Sequence, residues 1–199
     1  MIILITGPKH SGKTLTSRAL QKIIDGEVMD LDEVVERQTG KSPRTLYKEG
    51  PEIFKRAEAQ ALASLIQPKG TEETSEPMVP EESKVRRNQR FLIIAAGGGL
   101  ADNPEALALL SSRREIIVVY LDVSAETAWQ RIVHTAAGGE LPPFLYTENP
   151  RVKPEETHLA LHNRRGEAYK ALADFTISGE TKSPEEIAGE IANRLALYD

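Results

Sequence analysis

The stretch "MIILITGPKHSGKT", residues 1–14, runs an apolar, β-branched segment straight into a glycine-flanked turn ending in Lys13 and Thr14. Its second half has the spacing G-x-x-x-x-G-K-[ST], and the setting such a phosphate loop needs is present: a strand before it and an amphipathic helical pattern over residues 13–24. Glycines let backbone N–H groups converge on phosphate oxygens at a helix N-terminus whose dipole favours anions. Gly7, His10, Ser11, Gly12, Lys13, Thr14 and Leu15 therefore form the expected nucleotide-binding set, for ATP or GTP. Lys13 is expected to reach the β- and γ-phosphates and the Thr14 hydroxyl to sit on Mg²⁺. The side chains of Lys9 and His10 read as solvent-facing spacers.

Further apolar runs follow at residues 27–31, 90–96, 114–121 and 174–178, several of them near-continuous, as in strands buried on both faces. Helical patterns separate them, at 32–39, 51–66, 103–111, 125–133, about 155–173 and 184–197. This alternation predicts an α/β fold with a five-stranded parallel sheet between two helical layers. Two segments break the rhythm. Residues 67–88 are rich in Pro, Glu, Ser and Thr and read as a mobile surface insertion. Residues 134–153 contain glycines and prolines that forbid a continuous helix, and they are a candidate mobile lid.

With 199 residues, 40% hydrophobic and 28% charged, one domain with insertions over 1–199 is expected. The absence of cysteine excludes disulfides, thiolate metal sites and cysteine nucleophiles. Met1 leads into "IILIT" without a basic region, so neither a signal peptide nor a membrane helix is expected, and a cytoplasmic location is. A net charge of -5 gives no global pull toward nucleic acid, although "KVRRNQR", residues 84–90, is locally basic. Trp129 fits the packing face of its helix. His134, His158 and His162 lack acidic partners at metal-ligand spacing, and no serine has a G-x-S-x-G setting.

"VMDLDEVVERQTG", residues 28–40, places Asp30 and Asp32 where a strand ends and a helix begins. Either aspartate is a good helix cap. Next to a phosphate loop, carboxylates at a strand's carboxyl end also sit where α/β ligands collect. One would serve a metal's water shell and the other a substrate hydroxyl.

"MDLDEVVERQTGKS", followed by "EGPEIFKRAEAQAL", "FLIIAAGGGL", "VVYLDVSAETAWQRI" and "RRGEAYKALADFTISGETKSPEEI", resembles the shikimate kinases, a family of P-loop small-molecule kinases. With the phosphate loop, the likeness covers most of the chain outside the two insertions. It implies a nucleoside-monophosphate-kinase-like fold and ATP-dependent phosphorylation of a hydroxyl of shikimate. It further implies Mg²⁺ held by Thr14 and Asp30, and catalysis by Lys13 and Asp32. Substrate would be held by Asp32, Lys55, Gly97, Gly98, Gly99 and Arg165, with Arg131 and Pro184 around the adenine. Arg164 reads as a surface charge. A small-molecule substrate and a monomer or weak homodimer are the expected partners.

The chain departs from the family twice. Lys55 stands where the resemblance places a second carboxylate-binding arginine, keeping charge but losing the planar fork, and Glu58 is expected to orient it. The lid reads Pro142-Pro143-Phe144-Leu145, without the family's phosphate-facing arginine, and Arg151 or Lys153 are candidate substitutes. These departures keep open a kinase for another hydroxy acid or a nucleoside, or a catalytically weak nucleotide-binding module.

Overall fold

The computed structural model describes residues 1–66, 91–112, 115–136 and 139–196; the expected insertion 67–88 and the basic stretch 84–90 lie outside them. Five strands, β1 (Ile2–Thr6), β2 (Gly26–Asp30), β3 (Phe91–Ala95), β4 (Ile116–Asp122) and β5 (Phe175–Ser178), form one parallel sheet. Their order is β2-β3-β1-β4-β5. β4, "IIVVYLD", is buried at every position but its last, as a central strand covered on both faces must be.

Side chains alternate across each strand and feed two separate cores. On one face Leu4, Ile94 and Val118 pack against α2 (Leu31–Thr39), α4 (Pro51–Ile66) and α5 (Pro104–Ser111). On the other, Ile3, Ile5, Ile93 and Val119 pack against α1 (Lys13–Gln21) and α8 (Pro184–Leu195). The chain leaves β1 over the second face and β3 over the first, so a crevice opens between the carboxyl ends of β1 and β3. Both glycine loops begin there.

One helix escapes the sequence periodicity. α3 (Pro43–Glu49) is seven residues long, capped by the Ser42 side chain accepting from the Thr45 N–H, with Pro43 in its first turn. It is too short for an apolar stripe to be counted, although Ser-Pro at its start is a helix-opening signal. α6 (Ala125–Thr135) and α7 (Pro154–Leu172) flank the lid, which contains a 3₁₀ turn at Pro143–Leu145. Among the described residues no helix is long and apolar enough to cross a membrane.

Candidate active site

Glycine is required at two points of the phosphate loop. Gly12 takes φ 99°, a left-handed value that side chains resist, and a Cβ on Gly7 would lie 2.6 Å from the Leu121 carbonyl oxygen. Lys13 is buried beneath the loop and donates to the Gly7 and Pro8 carbonyls at 3.1 and 2.7 Å. Burial pulls its pKa down to about 8, against the attraction of Asp32 and Asp30. The Ser11 hydroxyl is buried without a hydrogen-bond partner among the described residues. Leu15 is exposed on α1. His10 is not the spacer the sequence suggests. It takes φ 61°, is half-buried and lines two cavities. Burial and the cations Lys9, Lys13 and Arg131 drop its pKa to about 4, which keeps it neutral. Lys9 also lines one of these cavities rather than only facing solvent.

The two aspartates have distinct surroundings. Asp30 Oδ1 accepts from the Asp32 N–H at 3.0 Å and caps α2, while its Oδ2 accepts from the Thr14 hydroxyl at 2.7 Å. Capping and proximity to the phosphate loop therefore coexist in one carboxylate. Two oxygen donors this close suit a hard cation such as Mg²⁺. Asp32 faces a cavity of about 500 Å³, and burial, then the charge of Asp30, raises its pKa.

The three glycines after β3 matter through closeness, since none of them takes a left-handed φ. A Cβ on Gly97 would lie 2.6 Å from Glu58 Oε1 and 3.2 Å from Asp32 Oδ1, and one on Gly98 would lie 2.8 Å from the Lys9 backbone nitrogen. A side chain at Gly98 would push this loop off the phosphate loop, and one at Gly97 would collide with Glu58. At Gly99 a Cβ would meet only Arg165, at an ordinary 3.8 Å.

α7 holds this loop from the other side. The Gly98 carbonyl accepts from Arg165 Nη1 at 3.2 Å and from the Tyr169 hydroxyl at 2.8 Å, and Tyr169 stacks on Tyr120. Arg165 also donates to Asp102 at 2.8 Å and lies over the Phe144 ring of the lid. Arg164 shares Asp102 at 2.9 Å although its side chain is largely exposed. Burial opposes Asp102 ionisation, but these two arginines hold its pKa below the ordinary carboxylate value.

Lys55 is not brought to the cavity. Its ammonium pairs with Glu52 at 2.8 Å, and the expected Lys55–Glu58 bridge is absent. Glu58 is fully buried, accepts from Asn103 Nδ2 at 2.9 Å and leaves Oε1 without a hydrogen-bond partner. The cavity instead gains Arg44 from α3, with Tyr47, Phe54 and the lid residues Pro142, Pro143 and Phe144. Sequence reading missed Arg44 because the helix carrying it was missed. Arg151 and Lys153 are exposed and do not line the cavity.

A second cavity, of about 550 Å³, opens between the phosphate loop and α6, lined by His10, Thr127, Gln130, Arg131, His134 and Thr135. Arg131 donates to the His10 carbonyl at 3.2 Å and to the Gly179 and Glu180 carbonyls at 3.3 and 3.4 Å, joining the phosphate loop to the β5–α8 connection. Pro184 sits in the first turn of α8 and lines neither cavity. Trp129 packs against His158. No group of three or more potential metal ligands among His, Cys, Asp and Glu occurs among the described residues.

Comparison with known proteins matches this layout throughout. The family profile "Shikimate kinase" matches residues 9–72 and 81–196. The shikimate kinase of Aromatoleum aromaticum is 29% identical over 199 residues, covering 100% of this chain and 96% of that one. Shikimate kinase 1 of Escherichia coli is 27% identical, covering 97% and 95%. The structure of the Acinetobacter baumannii shikimate kinase in complex with shikimate superposes with a TM-score of 0.75 at 26% identity, over 100% of this chain and 94% of that one. The Aquifex aeolicus shikimate kinase, at 24% identity and a TM-score of 0.67, shares the fold over 98% of this chain and 96% of its own. A match that runs from the phosphate loop into α8, with relatives of nearly the same length, makes this chain a member of the shikimate kinase family.

Proposed function

We propose that this chain transfers the γ-phosphate of ATP to a hydroxyl of shikimate. The observation that carries the reading is the contact of the two glycine loops. Gly98 abuts the Lys9 backbone, so a molecule resting on Gly97–Gly99 lies beside whatever the phosphate loop holds. Such proximity converts a bimolecular encounter into an oriented one.

Asp32 is the residue that addresses the acceptor. Its carboxylate faces the cavity, and its raised pKa moves it toward the range where a carboxylate accepts a proton usefully. The acceptor oxygen attacks the γ-phosphorus and the bond to the bridging oxygen breaks. The electron pair leaves on ADP, and the hydroxyl proton passes to Asp32 and then to solvent. Lys13 supplies positive charge under the phosphates. Thr14 and Asp30 are the residues that would hold Mg²⁺, whose chemistry when bound is neutralisation of phosphate charge. Arg165 offers a planar guanidinium to the acceptor's carboxylate. Arg131, at the second cavity, borders the space for the base.

Shikimate-dependent ADP release, followed by a coupled assay, tests the reading. Turnover with shikimate that exceeds turnover with other hydroxy acids and with nucleosides is the expected outcome. No shikimate-dependent ADP at millimolar substrate overturns it.

A further inference from the structure

We propose that Arg44 of α3 is the second cation that receives the acceptor's carboxylate, in partnership with Arg165; this rests on the proposed shikimate phosphorylation. Lys55, the residue at the position expected for this job, pairs with Glu52 and does not line the substrate cavity, whereas Arg44 does line it. The two arginines border the same lid-covered end. Arg44 donates to the Leu141 carbonyl and Arg165 lies over the Phe144 ring, three residues further along the lid. Three residues span at most about 11 Å, a gap that two arginine side chains reaching toward one carboxylate close.

Arg44 can also turn inward without stranding a charge, since its lid partners other than the Glu140 carboxylate are the exposed Glu140 and Leu141 carbonyls at 3.4 and 3.3 Å. Its Nη2 donates to Glu140 Oε2 at 2.8 Å, but Lys48 reaches the same carboxylate at 3.4 Å. When Arg44 exchanges Glu140 for the acceptor's carboxylate, Glu140 keeps a cation and no buried charge is left unpaired. The apolar walls, Tyr47, Phe54 and Phe144, lower the local dielectric and strengthen a charge-assisted pair formed there.

The test compares R44Q and E140Q with the wild type by steady-state kinetics in both substrates. R44Q raises KM for shikimate about tenfold, the loss expected for one charge-assisted pair, while kcat stays within threefold and KM for ATP within twofold. E140Q, which removes the lid carboxylate that competes for Arg44, leaves KM for shikimate at or below the wild-type value. The inference is overturned if R44Q leaves KM for shikimate unchanged, if KM for ATP rises in parallel, or if E140Q reproduces the R44Q defect, which would make Arg44 only a lid fastener. Absence of shikimate-dependent ADP release from the wild type overturns the acceptor reading itself and this inference with it.

Discussion

Glu58 is the residue whose chemistry changes most between sequence and structure. Its place in "IFKRAEAQAL" suggests a surface partner for Lys55, yet it is fully buried with Asn103 on one oxygen and Gly97 against the other. A helical spacing of three residues permits both geometries, and only the position of β3's glycine loop decides between them. Burial raises its pKa from 4.5 to about 7, the Asn103 hydrogen bond opposing. Below about pH 7 the fold therefore holds the protonated acid. Stability tied to that proton is intact below about pH 4.5 and is lost as the pH rises through about 7, by about 3 kcal/mol at most. Glu58→Gln removes the titration and places an N–H donor near Asp32. Thermal unfolding should show the Tm of E58Q gaining on the wild type by about 5 °C between pH 5 and pH 8. A difference independent of pH would show that Glu58 is ionised in the fold.

At the scale of elements, the start of α2 has one side chain placed for two jobs, the observed cap and the proposed metal site, and substitutions separate them. Asn caps a helix as well as Asp does, whereas Ala costs about 1 kcal/mol. Asp30→Asn should keep Tm within about 1 °C, and Asp30→Ala should lower it by about 2–4 °C. Both should raise the Mg²⁺ concentration needed for half-maximal turnover at least tenfold, because each removes the charge beside Thr14. If D30N needs no more Mg²⁺ than the wild type, Asp30 is a cap alone. The sequence showed this pair of roles as alternatives because cap and site share the same residue types at a strand-to-helix junction. It showed the long helices well, since apolar spacing over eleven or more residues is legible in α4, α6 and α8. α3 was illegible by periodicity, and with it went Arg44 and Tyr47.

For the whole molecule, the alternation of strands and helices is enough to predict a parallel sheet, and the spacing of Gly7, Gly12, Lys13 and Thr14 a phosphate loop after its first strand. The order β2-β3-β1-β4-β5 and the inward face of the lid rest on contacts between residues far apart in the chain, which no local pattern encodes. The same division governs stability. Leu62 and Leu145 are both fully buried leucines, one in α4 against the sheet core and one in the lid's 3₁₀ turn. Truncating a core leucine to alanine costs about 2–5 kcal/mol. For Leu62 that cost falls on global unfolding, so Leu62→Ala should lower Tm by about 6 °C or more. The lid's 3₁₀ turn packs mainly on α3 and α7, and a rim segment of that kind opens at a free energy below that of the whole fold. Leu145→Ala should therefore spend its cost on lid opening. Tm should fall by less than about 3 °C, hydrogen exchange at the Leu145 and Tyr146 amides should accelerate, and ATP hydrolysis without acceptor should rise as water reaches the phosphate. Equal Tm losses for L62A and L145A would mean that lid and core unfold as one unit and that closure is built into the fold rather than gated.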